Sequence, residues 1–152
     1  MLGDGILAYF VFNKHDEYNA DPLDAIDAAL ELRKSFDRIK KRWIEICRMN
    51  FGHQNISIDL KCGINHGKVL FGLLDTVTQC QVTVLGSDVN LASRLEKIAR
   101  NEQIIVSKKV KKIVEKNNCK NNKKFLMNKI PLKREIKSFP EIREIYEIIG
   151  KQ

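Results

Sequence analysis

Residues 56–64 alternate: Ile56, Ile58, Leu60, Cys62 and Ile64 are apolar, and Ser57, Asp59 and Lys61 fall between them. Successive side chains of a strand point to opposite faces, so this run reads as a strand with one buried face. Asn65-His66-Gly67 follows as a turn, and Lys68–Leu74 returns as a second strand. A strand that turns back at once favours antiparallel pairing, and the rest of the chain has to fit around that constraint.

Helices and strands alternate irregularly on either side. Residues 21–49 predict the longest helix: Asp21 can cap it, Pro22 suits its first position, and Gly52 and Asn55 end it. Leu23, Ile26, Leu30, Phe36, Ile39, Trp43 and Ile46 recur along one side and predict a core-facing stripe. Gln81–Leu85 reads as a strand, Val89–Ala99 as a helix and Ile104–Val106 as a strand. Ser107 then caps a lysine-rich helix over 108–115. Strands are expected at Phe125–Met127, Leu132–Ile136 and Ile142–Ile149. At the start, Gly3-Asp4-Gly5 is a tight-turn signal, and Ile6–Phe12 is an apolar run expected to be a strand buried on both faces. Its partner strand is only Met1-Leu2, too short to pair with it, which points to a missing upstream strand. This order predicts an α+β domain with a largely antiparallel sheet.

Composition narrows the function classes. A chain of 152 residues is one domain. No apolar run is long enough to span a bilayer, and the N-terminus lacks the basic start of a signal peptide, so a cytoplasmic location with no membrane partner is expected. The net charge of +8 is regional. Residues 108–137 hold twelve Lys/Arg and two acids, whereas the rest of the chain is slightly acidic. That segment has Phe125 as its one aromatic, so it reads as a solvated face rather than a nucleic-acid site. Cys47, Cys62, Cys80 and Cys119 show neither CxxC pairing nor metal-ligand spacing and are expected to be free, mostly buried thiols.

Two segments look chemical. Asp4, flanked by Gly3 and Gly5, would sit at a hairpin tip, where a carboxylate can hold Mg²⁺ or Mn²⁺. Thr83–Glu96 runs from a strand through Gly86 into a helix. There Asn90 and Arg94, four apart, share a helix face close to the N-terminus, a place that favours phosphate. The alternatives are an ordinary turn at Asp4, a helix cap at Asn90 and a surface ion pair at Arg94.

Taken together, Leu2–Phe10 (LGDGILAYF), the long helix, Leu60–Gly72 (LKCGINHGKVLFG), Thr83–Ala99 (TVLGSDVNLASRLEKIA) and the closing Ile136-Lys137-Ser138-Phe139-Pro140 with Ile145-Tyr146-Glu147-Ile148 resemble the class III adenylate/guanylate cyclase catalytic domain. The resemblance implies a ferredoxin-like, palm-type, largely antiparallel sheet with helices on one face. It also implies conversion of ATP to 3′,5′-cyclic AMP and pyrophosphate with two Mg²⁺ or Mn²⁺ ions, in a site shared by a homodimer or with a second cyclase domain. By position, Asp4 matches a metal ligand, Asn90 the ribose-orienting asparagine and Arg94 the arginine that stabilises the transition state. Thr83 matches the base-reading residue and Lys137 the phosphate-binding lysine. Ser138 stands where glycine is usual, and Asp88 where threonine is usual. Residues 1–150 would form the domain without its first strand, first helix and first metal aspartate, so little activity is expected of this chain alone. A guanylate cyclase or a non-catalytic cyclase-homology module are the alternatives.

Overall fold

The computed structural model describes residues 5–10, 23–52, 57–75, 80–119, 124–132 and 134–152. Its elements in order are α1 (Asp24–Phe51), β1 (Cys62–Ile64), β2 (Leu70–Asp75), β3 (Cys80–Leu85), α2 (Ser87–Ile98), β4 (Ile104–Ser107), α3 (Lys108–Asn118), β5 (Phe125–Ile130) and β6 (Ile145–Lys151). Four strands form one sheet in the order β1-β4-β6-β5, and β2 and β3 form a separate antiparallel ribbon. Within the sheet, β1 runs parallel to β4, and the β4–β6 and β5–β6 pairs are antiparallel. The α+β class with a largely antiparallel sheet is therefore present.

β4 is the centre of the core, and all four of its residues are buried. Its alternation sorts the helices. Ile104 and Val106 pack with Ile26 of α1 and with Val110 and Val114 of α3. Ile105 faces the other way, with Leu91 and Leu95 of α2. Adjacent strand residues face opposite sides, so α1 and α3 build the expected helical face and α2 lies on the opposite one. Cys62 and Ile64 of β1 join the α1/α3 cluster, as the 56–64 alternation requires.

The Asn65-His66-Gly67 turn does not close a hairpin. β1 takes its ladder from β4, and the chain after the turn leaves to pair with β3, with Leu70 opposite Leu85 and Gly72 opposite Thr83. The polar groups of the turn are bound to α2 instead. The Asn65 amide donates to Asp88 Oδ1 at 2.9 Å and to the Asp88 carbonyl at 3.1 Å, and the Lys68 backbone N–H donates to Asp88 Oδ2 at 3.1 Å.

Other expectations are revised. The stripe on α1 is core only near its start, where Leu23, Ile26 and Ala29 are buried; Ile39 and Trp43 are more than half exposed. A helix of 28 residues is roughly 42 Å long, whereas strands of three to seven residues span about 10–23 Å, so α1 outruns the sheet. Gly52, at φ 63°, ends α1 by donating to the Arg48 carbonyl; the expected cap Asp21 lies outside the described residues. Residues 6–10 form no strand and are exposed, Ile6 at 89%; Val11 and Phe12 lie outside the described residues. A run buried on both faces needs ladder partners, and no described strand pairs with 6–10. The strand expected at 132–136 is replaced by a tight turn that bridges Ile136 and Phe139. Cys119 is exposed, and Cys47 and Cys62 are half-buried.

The basic segment is partly neutralised by folding. Lys108 and Lys129 both meet Glu144, at 2.8 and 2.5 Å, and Lys111 meets Glu115 at 2.6 Å. Lys109 meets Asp88 at 2.9 Å. The first turn of α3 carries two lysines where the helix dipole disfavours cations, and Glu144 and Asp88 compensate them. Among the described residues, no helix is long and apolar enough to cross a membrane.

Candidate active site

Helix α2 carries Asn90 and Arg94, and the segment Gly63–Gly67 seats it. A Cβ on Gly63 would lie 2.2 Å from the Ala92 carbonyl oxygen and 2.3 Å from the Glu96 nitrogen. A Cβ on Gly67 would lie 2.0 Å from the Asp88 carboxyl carbon. Both glycines are therefore contact surfaces: one receives the middle of the helix and the other its first turn. Gly86, at φ 152°, turns the chain from β3 into α2.

Asp88 locks this seat. Burial works to raise its pKa, but the Lys109 ammonium, the Asn65 amide and the Lys68 N–H outweigh burial and hold the carboxyl below its ordinary value. The charge of Asp88, an acid where threonine is usual, is taken up by Lys109 and by the turn. Sequence reasoning missed this clamp. Its signal was an acid in the first turn of a helix, preceded by a turn containing asparagine and glycine.

Beyond the clamp, Asn90 is exposed on the first turn, its backbone N–H bonded to the Gly86 carbonyl at 3.2 Å. Arg94 is half-buried one turn further on. It lines a cavity of about 490 Å³ with Lys137, so the structure brings these two expected site residues together. Lys97 and Arg100 of the α2 end and Arg134 before the turn line it too. Lys137 is the second residue of the 136–139 turn, in which the Phe139 N–H donates to the Ile136 carbonyl at 2.9 Å. The third residue, Ser138, has φ 69°, the conformation a type II turn demands there.

Thr83 and Asn90 are not part of that cavity wall. Thr83 lies half-buried on β3. Asp4 lies outside the described residues. Among the described residues, no group of three or more His, Cys, Asp and Glu side chains converges to hold a metal ion. The metal assignment rests on Asp4 alone.

This geometry has relatives. A family model described as the adenylate and guanylate cyclase catalytic domain matches residues 2–139. An adenylate cyclase of Dictyostelium discoideum, described as terminal-differentiation specific, is 30% identical over 102 residues, which is 67% of this chain but 4% of that protein. In fold, the chain is similar to the adenylyl cyclase CyaB of P. aeruginosa, with a TM-score of 0.72 and 20% identity, covering 93% of this chain and 66% of that one. It is also similar to the guanylyl cyclase Cya2, with a TM-score of 0.64 and 18% identity, covering 93% of this chain and 64% of that one. The fold, the seated helix and the family match together make this chain a member of the adenylate and guanylate cyclase catalytic domain family.

Proposed function

We propose that this chain supplies the nucleotide-binding half of an adenylate cyclase site, which turns ATP into 3′,5′-cyclic AMP and pyrophosphate. The observation that carries the reading is the meeting of Arg94 and Lys137 in one cavity, with neither ion-paired to an acid among the described residues. A cation left without a carboxylate at the wall of a cavity is available to a ligand anion.

In the reaction, a bond forms between the 3′-oxygen and the α-phosphorus, and the bond from that phosphorus to the β-phosphate breaks. Pyrophosphate leaves with the electron pair, and the 3′-hydroxyl proton passes to solvent. Little covalent work falls to the protein, so positioning and charge neutralisation carry the rate. In this reading Arg94 donates to the oxygens that gain charge, Lys137 holds the phosphates, and Asn90 orients the ribose from the exposed first turn of α2. Asp4 would be one carboxylate ligand of a Mg²⁺ or Mn²⁺ pair; when bound, such ions activate the 3′-hydroxyl and screen the triphosphate.

Thr83 can exchange one hydrogen bond with a purine edge. A guanine-reading site needs a carboxylate to accept from the ring N–H and the exocyclic amine, and no acid occupies 81–85. ATP is favoured over GTP on that ground. A second copy, or a second cyclase domain, would complete the site across a two-fold interface.

The test uses the longest form of the protein that makes cyclic AMP. Arg94→Ala is expected to lower kcat by about 10²–10³ with little change in KM, because the contact forms mainly in the transition state. A rise in KM with kcat unchanged would make Arg94 a ground-state clamp only. A protein that binds ATP yet cyclises neither ATP nor GTP in any assembled form belongs to the non-catalytic alternative.

A further inference from the structure

Lys108 and Lys109 are consecutive residues in the first turn of α3, and their ammonium groups go to different carboxylates. Lys109 meets Asp88 of α2 at 2.9 Å, and Lys108 meets Glu144, just before β6, at 2.8 Å. Asp88 stands on the helix that carries Arg94. Glu144 follows two linked turns that begin at Ile136 and carry Lys137. In these the Phe139 N–H donates to the Ile136 carbonyl at 2.9 Å and the Ile142 N–H to the Phe139 carbonyl at 3.1 Å. One dipeptide therefore ties together the two segments whose cations meet in the Arg94 cavity.

Stability does not account for this tie. Exposed ion pairs add little to it, and two lysines at the start of a helix stand against its dipole. The carboxylates are the inner ends: the Asp88 and Glu144 side chains are 18% and 26% exposed, against 60% and 58% for Lys109 and Lys108. A carboxylate that is mostly buried and loses its cation is left uncompensated and is drawn toward water. The root of the tie is rigid. β4, buried throughout, passes straight into α3, and buried Ser107 ends the strand and caps the helix. A second cavity, of about 370 Å³, is lined by Leu91 of α2, by Ile142 and by both lysines. Packing between α2 and residues 141–144 is thus incomplete there, and the lysines bridge it.

We propose that Lys108 and Lys109 are positioning residues: a brace rooted in β4 that fixes α2 and the 136–144 segment, and through them Arg94 and Lys137, relative to each other. The benefit to catalysis rests on the cyclase reading; the brace itself rests on the two ion pairs and their common root. The two halves act differently. Lys109 steadies Arg94, whose contact forms mainly in the transition state, whereas Lys108 steadies Lys137, which holds the phosphates from the start. Asp88 keeps its bonds to Asn65 and Lys68 when Lys109 is lost, so α2 is loosened rather than released.

The experiment has two arms. Amide hydrogen exchange on the chain reads the brace without any activity. Lys109→Gln should speed exchange of the amides of residues 90–94, and Lys108→Gln that of Phe139 and Ile142, each by on the order of 10-fold. Lys109→Arg keeps the cation and should exchange as the parent does. Lys112→Gln, exposed on α3 and in neither ion pair, should change nothing. In the longest form that makes cyclic AMP, Lys109→Gln should lower kcat by about 10-fold with little change in KM, short of the roughly 100-fold that a misplacement of about 1 Å can cost. Lys108→Gln should chiefly raise the KM for ATP, which a mere loss of folded protein would not do. Unchanged exchange in both lysine variants overturns the proposal, as does a Lys112→Gln effect equal to theirs or a Lys109→Arg variant that behaves like Lys109→Gln. Local exchange effects as expected, in a protein that makes no cyclic nucleotide, would leave the brace standing and remove the cyclase reading. Loss of kcat in Arg94→Ala with unchanged exchange in Lys108→Gln and Lys109→Gln would do the reverse.

Discussion

Ser138 holds the left-handed conformation at φ 69°, where a Cβ costs about 1–2 kcal/mol against the following carbonyl. It stays there because the type II turn needs positive φ at its third position, and the turn is anchored by buried Ile136. Glycine is free of that penalty but loses more entropy on folding. Ser138→Gly is therefore expected to stabilise the chain by roughly 0.5 kcal/mol, read as a higher denaturation midpoint with an unchanged slope. Since the side chain is exposed and does not line the cavity, an unchanged or lower midpoint would show that the turn is not the strained element. Glu102 shares the geometry, at φ 60° in the 100–103 turn, but its carboxylate bonds Lys40 at 2.7 Å. Replacing Glu102 by glycine trades relief of strain against the loss of that ion pair, so it should stabilise the chain less than Ser138→Gly does.

Two elements depend on contacts far away in sequence. Helix α2 sits so close to β1 that Gly63→Ala must push strand and helix apart, at a cost of about 1–3 kcal/mol by the scale of overpacked cores. Denaturant titration checks that cost. In an active form of the protein, the same variant should lose kcat beyond what its folded fraction explains, because the helix carries Asn90 and Arg94. The other case is the junction of α3, β5 and β6 at Glu144. Hydrogen bonds from Lys108 first, then Lys129, lower the Glu144 pKa from 4.5 to about 2. A carboxyl depressed on folding adds stability that is complete above its unfolded pKa and lost as pH falls through the folded one. Acid titration of stability should therefore show a decline from pH 4.5 toward about 2. Asp88, also depressed by the Lys109 side, contributes in the same direction. Glu144→Gln should flatten part of that decline, and a profile identical to the parent's would mean that the junction is not coupled to folding.

For the molecule as a whole, the ribbon of β2 and β3 is the least supported part. A two-stranded ribbon is marginal alone in water, and here Leu70 is 76% exposed and Leu73 64% exposed. Phe71 is covered in part by Tyr9, in an edge-to-face contact with ring centroids 5.4 Å apart. Thr83 lies on this ribbon and is not among the residues that line the Arg94 cavity. Mixing an Asp4→Ala form with an Arg94→Ala form of an active preparation should restore part of the lost activity, since each heterodimer would keep one intact site. A mixture as inactive as its parts, with dimers confirmed by sedimentation, would refute the shared site.

The local signals were legible in the chain. The alternation at 56–64 placed Cys62 and Ile64 on the core face, Ser107 capped α3 by accepting from the Val110 N–H, and Gly52 closed α1. Spacing put Asn90 and Arg94 on one helix face, and the resemblance of the motifs to a known family added Lys137 as an expectation and led to the family. What the chain could not reveal was which partner each group would take. The turn at 65–67 looked like a hairpin because local sequence cannot show that β4, forty residues on, claims the ladder of β1. The partners of Asp88 were not legible because Lys109 and Asn65, both more than twenty residues away in sequence, are brought to it by the packing of β4 between α2 and α3. The stripe on α1 looked like core along its whole length because periodicity reports a face and not how far the opposing sheet extends. The cavity wall of Arg94, Lys97, Arg100, Arg134 and Lys137 is assembled from two segments some thirty residues apart. Lys97, Arg100 and Arg134 were ordinary basic side chains in their own segments, and only folding set them on one wall with Arg94 and Lys137, where Glu135 is the one acid.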